Sequence, residues 1–334
     1  MGPRVTVCIP TYNRSEYLTQ CLSSLLAQTF TDFELIISDN CSTDGTSEVV
    51  RRSADPRIRY YRNTDNIGVF PNMNRCLELA AGDYVSILHD DDLYAPRFLE
   101  RESEMLDRHP TVGLVHCAAY EINAHGVWQR LVRAYPKDCV QNGKKEFIRY
   151  LSGHNICCST VMVRRSLYAR VDPFDSTYLC ADWLMWLQLA LLGDVAYISE
   201  PLAGMRVHEA ALSSGIEPSR WCRDFLAILD RGCSLADSSY PSLLQSKTEV
   251  VRRAIHAQGN RFFIATVAAI TAGSFSVADG YMEVLRELEQ RGLPRAYRFL
   301  AGVLRNRAGQ RFLSVARRLR RAREAKSLPA EAAW

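Results

Sequence analysis

Between residues 4 and 108 the chain alternates, at short spacing, runs of β-branched and aliphatic residues with runs whose apolar positions recur every three or four residues. RVTVCIP (4–10), FELIISD (33–39), RIRYYRN (57–63) and DYVSILHD (83–90) read as strands. Between them, SEYLTQCLSSLLAQ (15–28) sets Leu18, Cys21, Leu22, Leu25 and Leu26 on one helical face. DGTSEVVRRSA (44–54) predicts a second helix, and PNMNRCLELAAG (71–82) a third, with proline at its start and glycine just past its end. A fourth is expected near 96–108. Asn13, with Glu16 three residues on, predicts a capping box for the first helix. Strand and helix in this order and spacing require crossovers, and crossovers make a parallel sheet. The apolar strand runs are those of a sheet covered on both faces. An α/β fold follows.

Open sheets of this kind bind ligands outside the carboxyl ends of their strands. That rule selects four loops: Pro10–Arg14, Ser38–Asp44, Asn63–Gly68 and His89–Asp92. All are rich in donors, acceptors or carboxylates. The last sets Asp90, Asp91 and Asp92 directly against an apolar run. Neighbouring carboxylates repel and are costly to desolvate, so the triplet is either a solvated turn or a cation site. Mg²⁺ and Mn²⁺ prefer oxygen ligands, and one or two carboxylates suffice where a substrate supplies the rest. Asp92 is also a candidate cap for the next helix. Asp39 could accept from an N–H of a base or ribose, or close an Asx turn, and Asp44 is placed for such a turn. Asp182, just ahead of the apolar helix CADWLMWLQLALLG (180–193), is a helix cap or a general base. His208, after an apolar strand, is structural or a metal ligand. Neither GxGxxG nor GxxxxGK[ST] occurs, which removes the main support for dinucleotide or P-loop chemistry.

From about 112 to 206 the pattern is less regular. A hairpin around NAHG, a short helix in GKKEFIRYLSG, a strand in CSTVMVRR (158–165) and final strands in DVAYISEPLAGMRVH are expected. Beyond about 216 nearly everything reads helical, including a buried helix over 262–278, too short and too polar for a membrane span. The expected division is residues 1–215, with 1–110 as one half and 111–215 as the other, followed by a helical region 216–334. Eleven cysteines without a CxxC pair, and no evident leader in MGPRVTVCIP, predict free thiols in a reducing cytoplasm. The net charge of +4 does not argue for nucleic acid. Residues 291–323, however, hold eleven arginines and no acid, interrupted by Phe299, Leu300, Val303 and others. They form either solvated helices or a basic face for an anionic membrane.

PTYNR, ISDNCSTDGT, NIG, LHDDDLYAP and CADWLMWLQLA, standing in that order, resemble family 2 of the inverting glycosyltransferases across about residues 4–212. The resemblance implies a GT-A fold, with residues 1–110 as the nucleotide-sugar half and 111–215 as the acceptor half. It implies single transfer from a nucleotide sugar, UDP first and dTDP next, to a glycan, lipid-linked saccharide or natural product, in polysaccharide or glycoconjugate biosynthesis. By the same resemblance Pro10, Thr11, Tyr12, Arg14, Asn66, Gly68 and Asn74 belong to donor binding, Asp39 to the base and Asp90 to ribose or sugar. Asp91, with His208, would hold Mn²⁺ or Mg²⁺, and Asp182 would be the general base. Asn40, Cys41 and His89 depart from the family pattern, and the QxxRW of processive synthases is absent. A sugar nucleotidyltransferase and an inactive nucleotide-sugar-binding protein of the same fold are the alternatives. Oligomeric state is left open.

Overall fold

The computed structural model describes residues 2–154, 156–209, 216–244 and 246–305. The opening alternation folds as β1 (Val5–Thr11), α1 (Ser15–Leu26), β2 (Phe33–Asp39), α2 (Thr46–Ser53), β3 (Ile58–Arg62), α3 (Val69–Leu79) and β4 (Tyr84–Ile87). The four strands lie in the order β3-β2-β1-β4 and are all parallel. Every residue of β2 is buried, and all of β1 except the partly exposed Pro10, which explains their unbroken apolar character. Leu18, Cys21, Leu22 and Leu25 of α1 complete one side of this core. Each fully buried aliphatic side chain there contributes about 1.5–3 kcal/mol.

β5 (Leu93–Tyr94), α4 (Phe98–Arg108), β6 (Val112–Ile122), β7 (Trp128–Val132), β8 (Cys139–Gln141) and α5 (Gly143–Tyr150) follow. After a 3-10 turn at Cys158–Thr160 come β9 (Val161–Arg164), α6 (Arg165–Tyr168), α7 (Ala181–Leu192) and β10 (Asp194–Arg206). β9 runs antiparallel between β4 and β6, whereas β10 is parallel to β6 and antiparallel to β5. The sheet is therefore mixed and mostly parallel, flanked by helices. β6 and β7 form the hairpin expected around NAHG.

The chain divides into two compact units, Met1–Tyr150 with His154–Ser214, and Leu151–Gly153 with Gly215–Trp334. The second holds α8 (Pro218–Ser239), α9 (Lys247–Ala272), α10 (Phe275–Gln290) and α11 (Ala296–Arg305). Within it Ala269, Ile270 and Ala278 form a small core with Tyr281 and Leu304 packed against it. No helix among the described residues is long and apolar enough to cross a membrane. In α11 Phe299, Leu300 and Val303 are exposed. Residues 306–323, the larger part of the arginine-rich segment, lie outside the described residues.

Two local expectations are corrected. The single buried helix over 262–278 is two helices, because Gly273 takes a left-handed φ of 80° and ends α9; Ile264 within that stretch is exposed. The capping box does not form either. Asn13 has a left-handed φ of 52°, and Asp44 of the neighbouring loop accepts from Ser15 N at 3.0 Å in its place. Asp44 also accepts from Thr46 N at 3.0 Å, which is the Asx turn anticipated for it.

One buried titratable group of the sheet has a consequence that can be measured in isolation. His116 of β6 is fully buried against Tyr197 of β10, ring centroids 5.0 Å apart, and neither ring nitrogen has a hydrogen-bond partner among the described residues. Burial, aided by the charge of Arg149, pushes its pKa down to about 3. An unfolded chain protonates this imidazole below about 6.5, so the unfolded state gains a proton that the folded state refuses. Stability should fall as pH drops from 6.5 toward 3, by about 2 kcal/mol at pH 5 from this residue alone. Urea unfolding of the wild type and His116→Phe at pH 7 and pH 5 measures it. The gap between the two proteins should shift by that amount in favour of the variant at pH 5.

Candidate active site

Parallel pairing brings the ends of β1–β4 to one edge. Thr11 lies beside Asp39, and Asp39 beside Arg62. Leu88 N donates to Cys8 O at 2.9 Å, which sets the residues after β4 next to Pro10. The first three loops are then stitched together by amides. Asn40 Nδ2 donates to Asn66 Oδ1 at 2.7 Å and to Gly68 O at 3.1 Å, while Asn40 Oδ1 accepts from Ile67 N at 2.9 Å and Asn63 Nδ2 at 3.1 Å. A carboxylate at position 40 could not donate, which is a physical reason for the amide there. Asn13 N donates to Ser42 Oγ at 2.9 Å, and Thr43 N to Asn13 Oδ1 at 2.8 Å. Gly68 takes φ 90° as α3 begins.

Tyr12 stands exposed at the rim, and Thr11 is buried behind it. Asp39 is fully buried. It accepts from Ser42 N at 2.8 Å and from the Tyr60 hydroxyl, with Arg62 Nε 3.6 Å away. Contact with a base would thus require Tyr60 to give way. Asn74 is committed differently from its expected role. Its amide donates to Phe174 O at 2.8 Å and accepts from Phe174 N at 2.9 Å, tying α3 to the segment before α7. The buried amide that faces the loops is Asn72, bonded to Ser38 and Asn63.

The acidic loop is buried rather than solvated: Asp90, Asp91 and Asp92 are each less than a tenth exposed. Burial, and then the charge of Asp91, pushes Asp90 and Asp92 up to about 6. Burial also opposes ionisation of Asp91, but His89, Arg14 and His208 outweigh it and hold this carboxyl below its ordinary range. Arg14 pairs with Asp91 and reaches Asp90 Oδ1 at 3.4 Å. His208 Nε2 is 3.0 Å from Asp91 Oδ2, its ring 5.0 Å from that of Tyr17. Asp92 does not cap α4. Its Oδ1 accepts from Arg206 N at 2.7 Å, which joins the loop to β10.

Arg206 is the residue that the sequence reading missed. Buried at the end of β10, it donates to Asp91 O at 2.6 Å, Ala124 O at 2.8 Å, Asn123 O at 3.1 Å and Gln20 Oε1 at 2.9 Å. Its guanidinium lies 4.8 Å from the Tyr17 ring centroid. The available signal was an arginine following the apolar run Pro201–Met205, two residues before His208. Cys157 was also missed. Its thiol is pushed up by burial and by the charges of Asp92, Asp182 and Asp91. One half-buried cysteine therefore feels the acidic loop and the start of α7 together. Asp182 sits in the first turn of α7, behind the N-cap Cys180, with Oδ1 accepting from Trp183 N at 2.9 Å.

The oxygen of Asp91 and the nitrogen of His208 are a donor pair that Mn²⁺ accepts. Arg14 already places a positive charge on that oxygen, so the residues fit a divalent cation that takes the place of the guanidinium.

The profile of Glycosyl transferase family 2 matches residues 6–172. The chain belongs to this family. Abequosyltransferase RfbV of Salmonella typhimurium is 31% identical over 247 residues, 67% of this chain and 73% of that protein. Among solved structures, S. aureus TarS (residues 1–349) in complex with UDP-GlcNAc is similar at TM-score 0.54 and 19% identity, covering 86% of this chain and 92% of TarS. The mannosyltransferase PcManGT of Pyrobaculum calidifontis, in complex with GDP-Man and Mn²⁺, has TM-score 0.50 and 20% identity, over 91% and 87% of the two chains. The fold is that of the GT-A enzymes, and the protein is a glycosyltransferase.

Arg206→Ala should remove four side-chain hydrogen bonds, among them the one to the carbonyl of the buried Asp91. A loss of about 3 kcal/mol in chemical denaturation is expected. Arg206→Lys should recover only part of it, since an ammonium cannot span the same fork.

Proposed function

We propose that this glycosyltransferase moves a single sugar from a nucleotide sugar, a UDP-sugar first and a dTDP-sugar next, to an acceptor hydroxyl, with inversion at the anomeric carbon. The observation that carries the reading is the Asp91–His208 pair, 3.0 Å apart, beside Asp90 in the acidic loop after β4, with Cys157 in the field of Asp91, Asp92 and Asp182. The complexes of TarS with UDP-GlcNAc and PcManGT with GDP-Man and Mn²⁺ support a nucleotide-sugar donor and a divalent cation.

In this reading Tyr12 stacks on the base, and Thr11, Arg14, Asn66 and Gly68 line the donor path. Asp39 holds the Ser38–Asp44 loop and meets the base only once Tyr60 has moved. Asp90 faces the ribose or sugar. Asp91 and His208 hold Mn²⁺ or Mg²⁺. When bound, such a cation neutralises charge on the departing nucleoside diphosphate. Arg14, displaced from Asp91, is then positioned to pair with a phosphate oxygen. Asp182 takes the proton of the acceptor hydroxyl as its oxygen attacks the anomeric carbon and the sugar–phosphate bond breaks in line. The electron pair leaves with the diphosphate, and no glycosyl-enzyme forms. Lipid-linked saccharides, glycans and small natural products are all acceptor classes of this chemistry. Exposed Phe299, Leu300 and Val303 beside the arginines of α11 would suit peripheral contact with an anionic membrane if the acceptor is lipid-linked.

Thermal unfolding with UDP-, dTDP- and GDP-sugars, each with and without Mn²⁺, tests the donor and the cation. A Mn²⁺-dependent rise in Tm with a UDP-sugar is expected, and no shift with any donor would overturn the reading. Asp182→Asn should abolish transfer while nucleotide affinity stays within about twofold of wild type. Equal loss of both would make Asp182 a structural residue of the helix start.

A further inference from the structure

His89, Asp92 and Cys157 bring an imidazole nitrogen, a carboxylate oxygen and a sulfur within 4.8 Å of one another. His89 Nδ1 and Asp92 Oδ2 are 3.8 Å apart. The segments that supply these groups are fixed by hydrogen bonds from other atoms. His89 N donates to Ser159 Oγ at 3.1 Å, joining the acidic loop to the 3-10 turn. Cys157 O accepts from Thr160 N at 2.9 Å and from Thr160 Oγ1 at 2.8 Å. Asp92 Oδ1 is occupied by Arg206 N, which leaves Oδ2 as the oxygen nearer His89. Asp92 is buried, whereas His89 and Cys157 are half-buried, so the cluster has an open side.

This group adjoins Asp91, on which the His89 charge acts, but uses neither Asp91 nor His208 as a ligand. The Asp91 carboxylate pairs with His208 and Arg14, and neither of these contacts Asp92 through its side chain among the bonds described. The donor chemistry differs too. An oxygen and nitrogen pair suits Mn²⁺ or, with substrate oxygens, Mg²⁺, but hard cations have little affinity for a thiol. One sulfur, one imidazole and one carboxylate are zinc ligands. Bond lengths of about 2.0–2.3 Å put tetrahedral zinc ligands roughly 3–4 Å apart, so the cluster needs to contract by only about 1 Å. The alternative chemistry, a Cys-His-Asp nucleophile, is disfavoured by the surroundings. The charges of Asp91, Asp92 and Asp182 all act on the sulfur; they repel a lone thiolate and attract a dication.

We propose that His89, Asp92 and Cys157 form a second cation site, selective for zinc over the hard cations, with one coordination position open to water or a ligand. On binding, the Cys157 sulfur bonds to the metal and its proton passes to solvent. The bound ion would cross-link the loop carrying Asp90 and Asp91 to the turn at Cys158–Thr160.

Co²⁺ is the probe, because a thiolate ligand gives it a near-ultraviolet charge-transfer band that oxygen and nitrogen ligands do not. The full chain, stripped with chelator, is titrated with Co²⁺ in excess Mg²⁺. One equivalent should bind with the thiolate band. Cys157→Ser should abolish the band, Cys158→Ser should keep it, and His89→Ala should weaken binding about tenfold or more. Asp91→Asn should leave the band in place. No thiolate band in the wild type, a band that survives Cys157→Ser, or unchanged Co²⁺ affinity in His89→Ala would each overturn the proposal. The readout needs no transfer activity, so failure here and failure of the transferase mechanism are distinguishable.

Discussion

Three carboxylates are held next to one another in a loop that water barely reaches, and the architecture around them exists to make that tolerable. The compensation is divided. Arg206 secures the backbone of the loop and receives Asp92. Arg14 and His208 meet the Asp91 side chain. Arg14 comes from the start of α1, Arg206 is the last residue of β10 and His208 lies two residues beyond it. Removing Arg14 or His208 would leave the buried Asp91 carboxylate short of a partner, the expensive half of a broken pair, whereas removing the Arg206 side chain would free the backbone of the loop. Asp90 and Asp92 are pushed up to about 6 because burial and the charge of Asp91 outweigh the contacts from Arg14 and from Arg206 N.

The fold was legible because it rests on periodicity. Continuous apolar strands and amphipathic helices alternating at short spacing leave few topologies, and the β3-β2-β1-β4 order follows the expected pattern. The four loops were found by the same rule, since parallel strands deliver their carboxyl ends to one edge. What escaped was determined by contacts distant in sequence. Asn13 looked like a cap because its neighbours fit the local pattern, yet Asp44 performs that task from another loop. Asn74 looked like a ligand residue, yet the backbone at Phe174, a hundred positions away, takes its amide.

Arg206 and Cys157 illustrate a second kind of illegibility. Neither carries a local signature: one is an arginine ending an apolar strand, the other a cysteine in a chain with eleven. Their importance comes from which surface they meet, and that depends on β9 and β10 being inserted beside β4 and β6. Asp39 shows the reverse case. The motif placed it correctly at the strand end, but full burial and the Tyr60 hydroxyl could only be seen in three dimensions.

β10 deserves a last consideration as a ruler. It starts beside Thr111, runs thirteen residues along β6, and ends at the acidic loop. Its pairing slips between Ile198 and Pro201 and again before Ala203. Side chains on a strand alternate between faces, so those irregularities set the parity of everything downstream. Arg206 and His208, two positions apart, both reach Asp91 only because that parity is right. A single inserted or deleted residue near Pro201 would turn Arg206 away from the Asp91 carbonyl and His208 away from the Asp91 carboxylate. The charge balance of the site is thus counted out in whole residues, at a point remote from any group that touches the chemistry.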